Sequence, residues 1–549
     1  MKKTLSLLIA LAMLLTMVGS VSLASAEDRP VLRVALTTSS MVTDYEDNYF
    51  TNYLEDKLGI EIEFIMLPVD AADTRTKIAL MATSGEDMPD VFVVDNHLTN
   101  EMILAYGEAG LFMELDEFVK DPEKMPNYCA IPDADRALMT TASTQANGHV
   151  YSLSAYEPET WNMTPFRMFI NNDWLEKLNL EVPTTTEELK QVLIAFRDGD
   201  PNGNGQKDEI GVYGQSTGTY GQNIVAALIN AFLYWNNNQL NCGLALSEAD
   251  YETVIAPYTT DAWREAMKYL NDLYNEGLLS ADTFTDDNNT YKAVLNAETQ
   301  IVGLTSSGSL SSWPAVATNP AFAQMKLIAP LTGPEGVNYT PFIEVWPGQE
   351  AMICAYTDKV DLAVKFCDEF FSFETSMIER FGEEGVDWSR DPALLEGQSN
   401  AYMEAGLTDK VSYLVTSTVW ADNQHQTWRN HGPRYMSIEN FLMVYDYSSG
   451  KKFDPEDPTQ LNGKCYEMYF DKKPAKLLPQ LKFTAEETER LTDTIINVPD
   501  FVMQSIAEFT TGTRDINDDA AWNQYLSQLD SMGLQDLIAT SQEAYNRSK

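Results

Sequence analysis

The 549-residue chain has little of what metal or redox chemistry asks for. It carries four histidines, at positions 97, 149, 425 and 431, and no two share the spacing that places a pair of imidazoles on one helix face. Its five cysteines, Cys129, Cys242, Cys354, Cys367 and Cys465, contain no C-x-x-C pair, and an odd number cannot pair fully. Cys354 and Cys367 lie in the apolar contexts AMICAY and AVKFCDEFF, where buried thiols are expected. Positive charge is scarce: 37 Lys and Arg stand against 82 Asp and Glu, a net charge of −45. Nucleic acid and anionic lipid surfaces would both be repelled. The acids are spread along the chain and not gathered in a tail, which marks a solvated surface. No G-x-S-x-G, H-E-x-x-H or Walker loop occurs, so the common hydrolase and nucleotide-binding signatures are missing.

Long apolar runs are also absent after the first residues. Lys2 and Lys3 precede an apolar stretch, Leu5 to Val18, and Ala24-Ser25-Ala26 supplies a small-x-small cleavage pattern. The stretch is shorter than the ~20 residues that span a bilayer. A signal peptide over 1–26 and an exported mature chain are therefore expected. A mature length of about 520 residues exceeds what one compact core serves, so two or more domains are expected. The 44% hydrophobic and 11% aromatic content suffices to fill them.

VLRVALTT (Val31 to Thr38) and IEIEFIML (Ile60 to Leu67) read as strands, with a helix between them carrying Tyr49, Phe50, Tyr53, Leu54 and Leu58 and ending at Gly59. A helix around Arg75 to Ser84 then leads to a buried strand, Val91 to Val94. Strand, helix, strand, helix, strand is the order of a mostly parallel α/β sheet. Ligands bind beyond the carboxyl ends of such strands, which here points to Asp95 and Asn96. Farther along, Thr185 and Glu188 fit a capping box before a helix with Leu189, Val192, Leu193 and Phe196 on one face. Helices are also expected over Asp261–Asn275, over Val360–Phe373, and near the end of the chain behind Asp518 or Asp519. TQIVGLTSS (Thr299 to Ser307) reads as a strand returning to the first lobe.

DGDPNGNGQKDE (Asp198 to Glu209) is the sharpest chemical motif. Oxygen donors recur at Asp198, Asp200, Asn202 and Asn204, with Asp208 and Glu209 following, and Gly203 and Gly205 permit tight turns. Calcium takes about six to eight oxygens at about 2.3–2.6 Å, and this spacing supplies them. A register from Asp198 and one from Asp200 both fit. Glu-Ile-Gly-Val-Tyr-Gly after the loop reads as a strand and not as an exiting helix, so a structural ion is expected and not a sensor.

A resemblance to a known family now becomes visible. The segments YLEDKLGIEIEF (Tyr53 to Phe64), SGEDMPDV (Ser84 to Val91), AYGEAGLFMELDEFV (Ala105 to Val119), NNDWLEKLNLEVPTTTEEL (Asn171 to Leu189), LYNEGLLSADTF (Leu273 to Phe284) and DDAAWNQYLSQLDSMGL (Asp518 to Leu534) resemble, in order, the extracellular solute-binding proteins of family 1, in their lipoprotein-type branch. The resemblance implies a two-lobed, periplasmic-binding-protein-like α/β fold of type II, each lobe a mixed sheet flanked by helices, with a helical C-terminal region. It implies lobes of 27–155 plus about 297–375, and of about 156–296 plus 376–549. It implies a monomeric, non-enzymatic receptor that hands a small solute to the permease subunits of an ABC importer. It also implies the second calcium register: Asp200, Asn202, Asn204, Asp208 and Glu209 through side chains, and Gln206 through its carbonyl. One departure stands out. Where the family carries a lipobox cysteine, Leu15 to Gly19 is followed by Ser20.

Saccharide recognition uses flat aromatic faces and planar polar groups. TSTVWADNQHQTWRNHGPRY (Thr416 to Tyr435) is the densest such mixture, and offers Trp420, His425, Trp428 and Arg429 as contacts; Trp313, Glu344 and Trp346 add to it. The competing reading for each aromatic is core packing, which is preferred for Trp174, Trp388 and Trp522. Two rival functions compete with a saccharide receptor. A glycoside hydrolase needs two carboxylates about 5–9.5 Å apart, and 82 acids supply such pairs by chance. A peptide receptor of the same fold would use a carboxylate clamp, for which Arg429 and Arg434 are available.

Overall fold

The computed structural model describes residues 29–158, 160–216, 218, 220–236, 241–308, 319–391, 412–414, 418–421, 423–437, 443–445, 467–481, 483–547 and 549. Ten strands among them carry the two principal sheets: β1 (Val31–Thr37), β2 (Glu61–Leu67), β3 (Val91–Val93), β4 (Leu153–Tyr156), β5 (Arg167–Asn171), β6 (Ile210–Val212), β7 (Val302–Ser307), β8 (Met325–Ile328), β9 (Gly348–Ile353) and β10 (Arg434–Tyr435). The first sheet has the order β10-β4-β9-β3-β1-β2 and the second β8-β5-β7-β6. Each is mixed. β1 runs parallel to β2 and β3, while β9 is antiparallel to β3 and β4. β7 runs parallel to β6 and antiparallel to β5.

The local signals behave as their chemistry dictates. Asn48 caps the helix Tyr49–Leu58 by accepting from the Phe50 amide, and Gly59 closes it at φ 70°, a conformation open to glycine without a Cβ penalty. The helix Ala71–Ser84 starts four residues earlier than expected, because Asp70 accepts from two amides of its first turn. Thr185 and Glu188 form both halves of the capping box on Thr186–Gly199. The helix Asp261–Asn275 buries Trp263, Met267, Leu270 and Leu273, and the C-terminal helices Thr494–Thr511, Asp519–Ser531 and Leu534–Arg547 share its core through Phe509, Trp522 and Tyr525. Trp174, Trp388 and Trp522 are core residues as expected. Cys354 and Cys367 are buried free thiols. No helix of the described residues is long and apolar enough to cross a membrane.

The result is a two-lobed α/β fold with a helical C-terminal extension. The chain passes between lobes through 157–166, from β4 to β5, and through 329–347, from β8 to β9. The two crossings touch where the Ile343 amide donates to the Met163 carbonyl at 2.8 Å. A later passage returns from β10 to Tyr469, whose hydroxyl accepts from the Met168 amide and donates to the Ile328 carbonyl in the second sheet.

Two strands go elsewhere than the sequence suggests. β7 does not return to the first sheet; it is an interior strand of the second, buried at all six positions between β5 and β6. β8, from the same stretch, pairs with β5 beside it. Conversely β10, expected in the second lobe, forms the edge of the first sheet beside β4. An apolar strand pattern states that a strand is buried but not which sheet buries it; partner choice depends on residues far away in sequence.

Candidate functional site

Strand direction fixes where the lobes face each other. The first crossing leaves the carboxyl end of β4 and enters the amino end of β5, which lies beside the carboxyl end of β7. The second leaves the carboxyl end of β8 and enters β9 beside the carboxyl end of β4. The carboxyl ends of both sheets therefore meet at the crossings, the place where α/β sheets hold ligands.

Asp95 and Asn96 lie there, two and three residues beyond β3, as the topology predicts. Both adopt left-handed backbone, at φ 45° and 57°, which short polar side chains tolerate best after glycine. The Asn96 amide oxygen accepts from the Gln349 N–H at 3.1 Å, tying the turn to β9. Asp95 Oδ2 lies 3.2 Å from His431 Nε2, and His431 Nδ1 lies 2.7 Å from the Thr37 carbonyl at the end of β1. Burial opposes the charged form of that imidazole, but the Asp95 carboxylate outweighs it and raises the His431 pKa.

Beneath this surface sits a buried charged cluster that no sequence motif announced. Glu157, the first residue after β4, takes Arg380 and Arg434 at 3.0 Å each and accepts from Asn430 at 3.1 Å. Burial alone would raise its pKa; the two guanidinium groups outweigh that and lower it. Glu350, on β9, is pushed up to about 8 by burial and by the Asp95 carboxylate. Glu379, on the helix Phe373–Phe381, is pushed up to about 7, chiefly by burial. Among the described residues, both Glu379 oxygens and Oε2 of Glu350 find no hydrogen-bond partner. Among 82 acids nothing marks these three in the sequence, because each is distinguished only by the strand end or helix face it reaches.

The aromatic candidates divide. Trp346 lies two residues before β9, on the second crossing, with 41% of its surface exposed. Glu344, on the same crossing, is exposed, and partial desolvation of its carboxyl group raises its pKa. Trp420 is partly exposed; its indole N–H donates to the Arg380 carbonyl at 2.9 Å, and the guanidinium groups of Arg429 and Arg380 lie 4.7 and 5.3 Å from its ring. Arg429 also donates to the carbonyls of Val419 and Trp420. His425 is exposed, and its carbonyl accepts from Tyr49 at the start of the helix Tyr49–Leu58. Trp428 departs from expectation: it is a core residue with 0% exposure. Its ring packs edge-on against Phe50 and Phe64 at 5.1 and 5.5 Å, and its N–H donates to Thr51. The polar neighbours that suggested a binding loop line the turn, while the indole itself is inserted under it. Trp313 lies outside the described residues.

The loop after Thr186–Gly199 is shaped by its own side chains. Asp198 ends on the helix, paired with Arg197, whereas Asp200 takes left-handed backbone at φ 48° and accepts from the Gly205 amide. Asn202 and Asn204 both donate to Asp208. Gln206 donates its amide to Asn204 Oδ1 at 2.7 Å. Glu209 is 9% exposed, neither carboxylate oxygen is hydrogen-bonded among the described residues, and burial raises its pKa. A second group of candidate metal ligands, Glu114, Asp116 and His149, lies nearer the surface of the first lobe.

Comparison with known proteins agrees with this architecture. The chain is similar to the fructooligosaccharide ABC transporter substrate-binding protein FusA of Streptococcus pneumoniae, at 24% identity over 537 residues that cover 93% of this chain and 89% of that one. Among solved structures, FusA in complex with kestose matches with a TM-score of 0.74 at 21% identity, covering 94% of this chain and 99% of that one. An HMO-binding, ABC-transporter-associated solute-binding protein of Bifidobacterium longum infantis matches at 0.71 and 22% identity, with coverages of 94% and 99%. Alginate-binding protein AlgQ2, solved without calcium ion, matches at 0.67 and 21%, with coverages of 94% and 98%. The family model described as bacterial extracellular solute-binding protein covers residues 42–374, more than half of the sequence. With that match and the two-lobed fold, the chain belongs to the bacterial extracellular solute-binding proteins.

Proposed function

We propose that this protein captures an oligosaccharide between its lobes and delivers it to the permease subunits of an ABC importer. The observation that carries this reading is the convergence of both sheets' carboxyl ends on the two crossings. Asp95 and Asn96 follow β3 at those strand ends, Asn96 is bonded to the Gln349 amide on β9, and Trp346, two residues before β9 on the second crossing, leaves its indole exposed. Sugar hydroxyls need such planar donors and acceptors, and the apolar faces of the rings need the indole. Family membership and similarity to a fructooligosaccharide receptor support it. Closure follows population shift: a guest touching both walls favours the closed form, and its differential affinity sets how far the balance moves.

Calcium belongs to the same reading. A hard cation in the loop would be held by Asp200, Asn202, Asn204, Asp208 and Glu209 through side chains and by Gln206 through its carbonyl. The unpartnered, buried carboxylate of Glu209 fits that role, since a buried charge is tolerated only when paired or metal-bound. The ion would neutralise the acidic loop and brace the turn between the helix Thr186–Gly199 and β6. The register from Asp198 is disfavoured by that residue's pairing with Arg197.

The experiment is a melting-temperature screen with neutral and acidic oligosaccharides and short peptides. A ligand at a hundredfold excess over Kd stabilises the native state by about 2.7 kcal/mol, enough to read. Stabilisation by a saccharide supports the proposal; stabilisation by peptides alone overturns it.

A further inference from the structure

His431 stands between two strand ends that the first sheet sets side by side. Its Nδ1 lies 2.7 Å from the carbonyl of Thr37, the last residue of β1, and its Nε2 lies 3.2 Å from Asp95 Oδ2, beyond β3. β1 and β3 pair directly. A carbonyl and a carboxylate can only accept, so this placement asks for a proton on both ring nitrogens. A neutral imidazole carries one. With that proton on the Thr37 side, Nε2 would turn a lone pair toward the Asp95 carboxylate, and two acceptors would face each other unbonded.

The turn so held is one that needs holding. Asp95 and Asn96 are consecutive non-glycine residues in left-handed backbone, which persists only where the surroundings impose it. On the Asn96 side β9 does so: Asn96 accepts from the Gln349 amide, and the Glu350 carbonyl accepts from the Val94 amide at 2.8 Å. On the Asp95 side the bond comes from His431. That ring is itself fixed. It is 6% exposed, follows Arg429 and Asn430 at φ 63° and 67°, and precedes Gly432, where a Cβ would lie 2.5 Å from the Phe370 ring. The other titratable and charged groups around the pair are His97 on the same turn, Glu350 on β9, Glu379 on the helix Phe373–Phe381, Arg434 on β10, Arg429, and the phenol of Tyr45. Burial opposes the charged ring and Arg434 repels it. Asp95, the Thr37 carbonyl and Glu350 outweigh both, and hold the His431 pKa above its ordinary value.

We infer that His431 is a positioning residue of the binding site, an imidazolium that clamps Asp95 where it accepts from the ligand, and that affinity falls when its proton is lost. The inference rests on the reading of Asp95 as a ligand contact and adds a regulation to it. Below the His431 pKa the ring is charged and the clamp complete. As pH rises through that value the Nε2 proton leaves, and the Asp95 carboxylate loses its donor. Linkage makes the effect reciprocal: a ligand that favours the clamped turn raises the His431 pKa.

The first test needs no ligand. The chain has four histidines, so the ring signals of histidine-labelled mature protein are few, and His431→Gln identifies the one in question. NMR titration is expected to show both His431 ring N–H groups persisting above pH about 6.5, the ordinary imidazole value. Asp95→Asn should lower the midpoint by about one unit or more. Glu350→Gln should lower it less, and serves where Asp95→Asn does not fold. A His431 ring already neutral below pH 6.5, or a midpoint that ignores both substitutions, overturns the inference. The second test is calorimetric titration from pH 6 to 9.5 with kestose, maltotriose, xylotriose and, as a peptide probe, tetraalanine. Wild type should lose about tenfold in affinity for the bound probe as pH rises, the worth of one charge-assisted hydrogen bond. His431→Gln should bind weakly at pH 6 and stay flat, and the bound probe should move the wild-type His431 midpoint upward. Glu350 and Glu379 are present in both proteins, so the difference belongs to His431. Identical pH profiles for wild type and variant overturn the inference and leave the saccharide reading standing. Binding of tetraalanine and of no trisaccharide overturns the saccharide reading, and the same pH comparison with the peptide then decides the inference.

Discussion

Replacing Glu379 by Gln isolates the most unusual ionisable group of the first lobe. The side chain is 2% exposed on the helix Phe373–Phe381, and neither of its oxygens has a hydrogen-bond partner among the described residues. Burial penalises its charged form more than Arg434 favours it, and the neighbouring Glu157 carboxylate adds to the penalty. Its pKa thus rises from 4.5 to about 7. Below pH 4.5 the group is protonated in both folded and unfolded chains, and its stabilising effect is complete. Between that value and about 7 the folded state keeps a proton that the unfolded chain releases, so stability falls as pH rises. Above about pH 7 the loss is complete, at about 3 kcal/mol. Gln is nearly isosteric and does not titrate. Urea unfolding of wild type and Glu379→Gln at half-unit steps from pH 5 to 8 is the assay. The expected outcome is that wild type loses about 2.5 kcal/mol relative to the variant across that range, part of the total having gone already by pH 5. Glu350→Gln moves in the same direction, while Glu157, whose pKa is lowered, acts oppositely and is felt only in acid. Parallel pH profiles for wild type and Glu379→Gln, or a wild type that gains on the variant as pH rises, would falsify the account and make Glu379 an ionised partner of Arg434.

Two further outcomes are expected. Chelation should lower the melting temperature, added calcium should restore it, and Glu209→Gln should blunt that response; an unchanged melting temperature in chelator would make the loop an ordinary turn. Trp428→Ala should cost about 3–5 kcal/mol of stability by opening a cavity among Phe50, Phe64 and Phe370, with ligand affinity retained wherever the variant is folded. Lost affinity at unchanged stability would return that indole to the cleft.

Local rules were legible because they act over a few residues. The caps at Thr185 and Asp518, the glycine stop at Gly59, and the strand-helix-strand order that places Asp95 and Asn96 beyond β3 all follow from spacing and side-chain type. The loop from Asp200 to Glu209 is equally local, since most of its oxygen donors lie within ten consecutive residues. The aromatic-rich stretch was harder, because composition shows that a tryptophan lies in a polar turn and not on which side of the turn its ring is inserted. Trp420 stays at the surface and Trp428, eight residues on, is sealed beneath it.

By itself the sequence determined the elements, the acidic character and the loop chemistry, each a matter of periodicity or of neighbours a few residues apart. Tertiary structure alone decided that β7 belongs to the second sheet and β10 to the first, and that Glu157, Glu350 and Glu379 gather in one buried cluster. The reason is physical: strand pairing and the field felt by a buried carboxyl group depend on residues hundreds of positions apart, whose proximity exists only once the chain has folded.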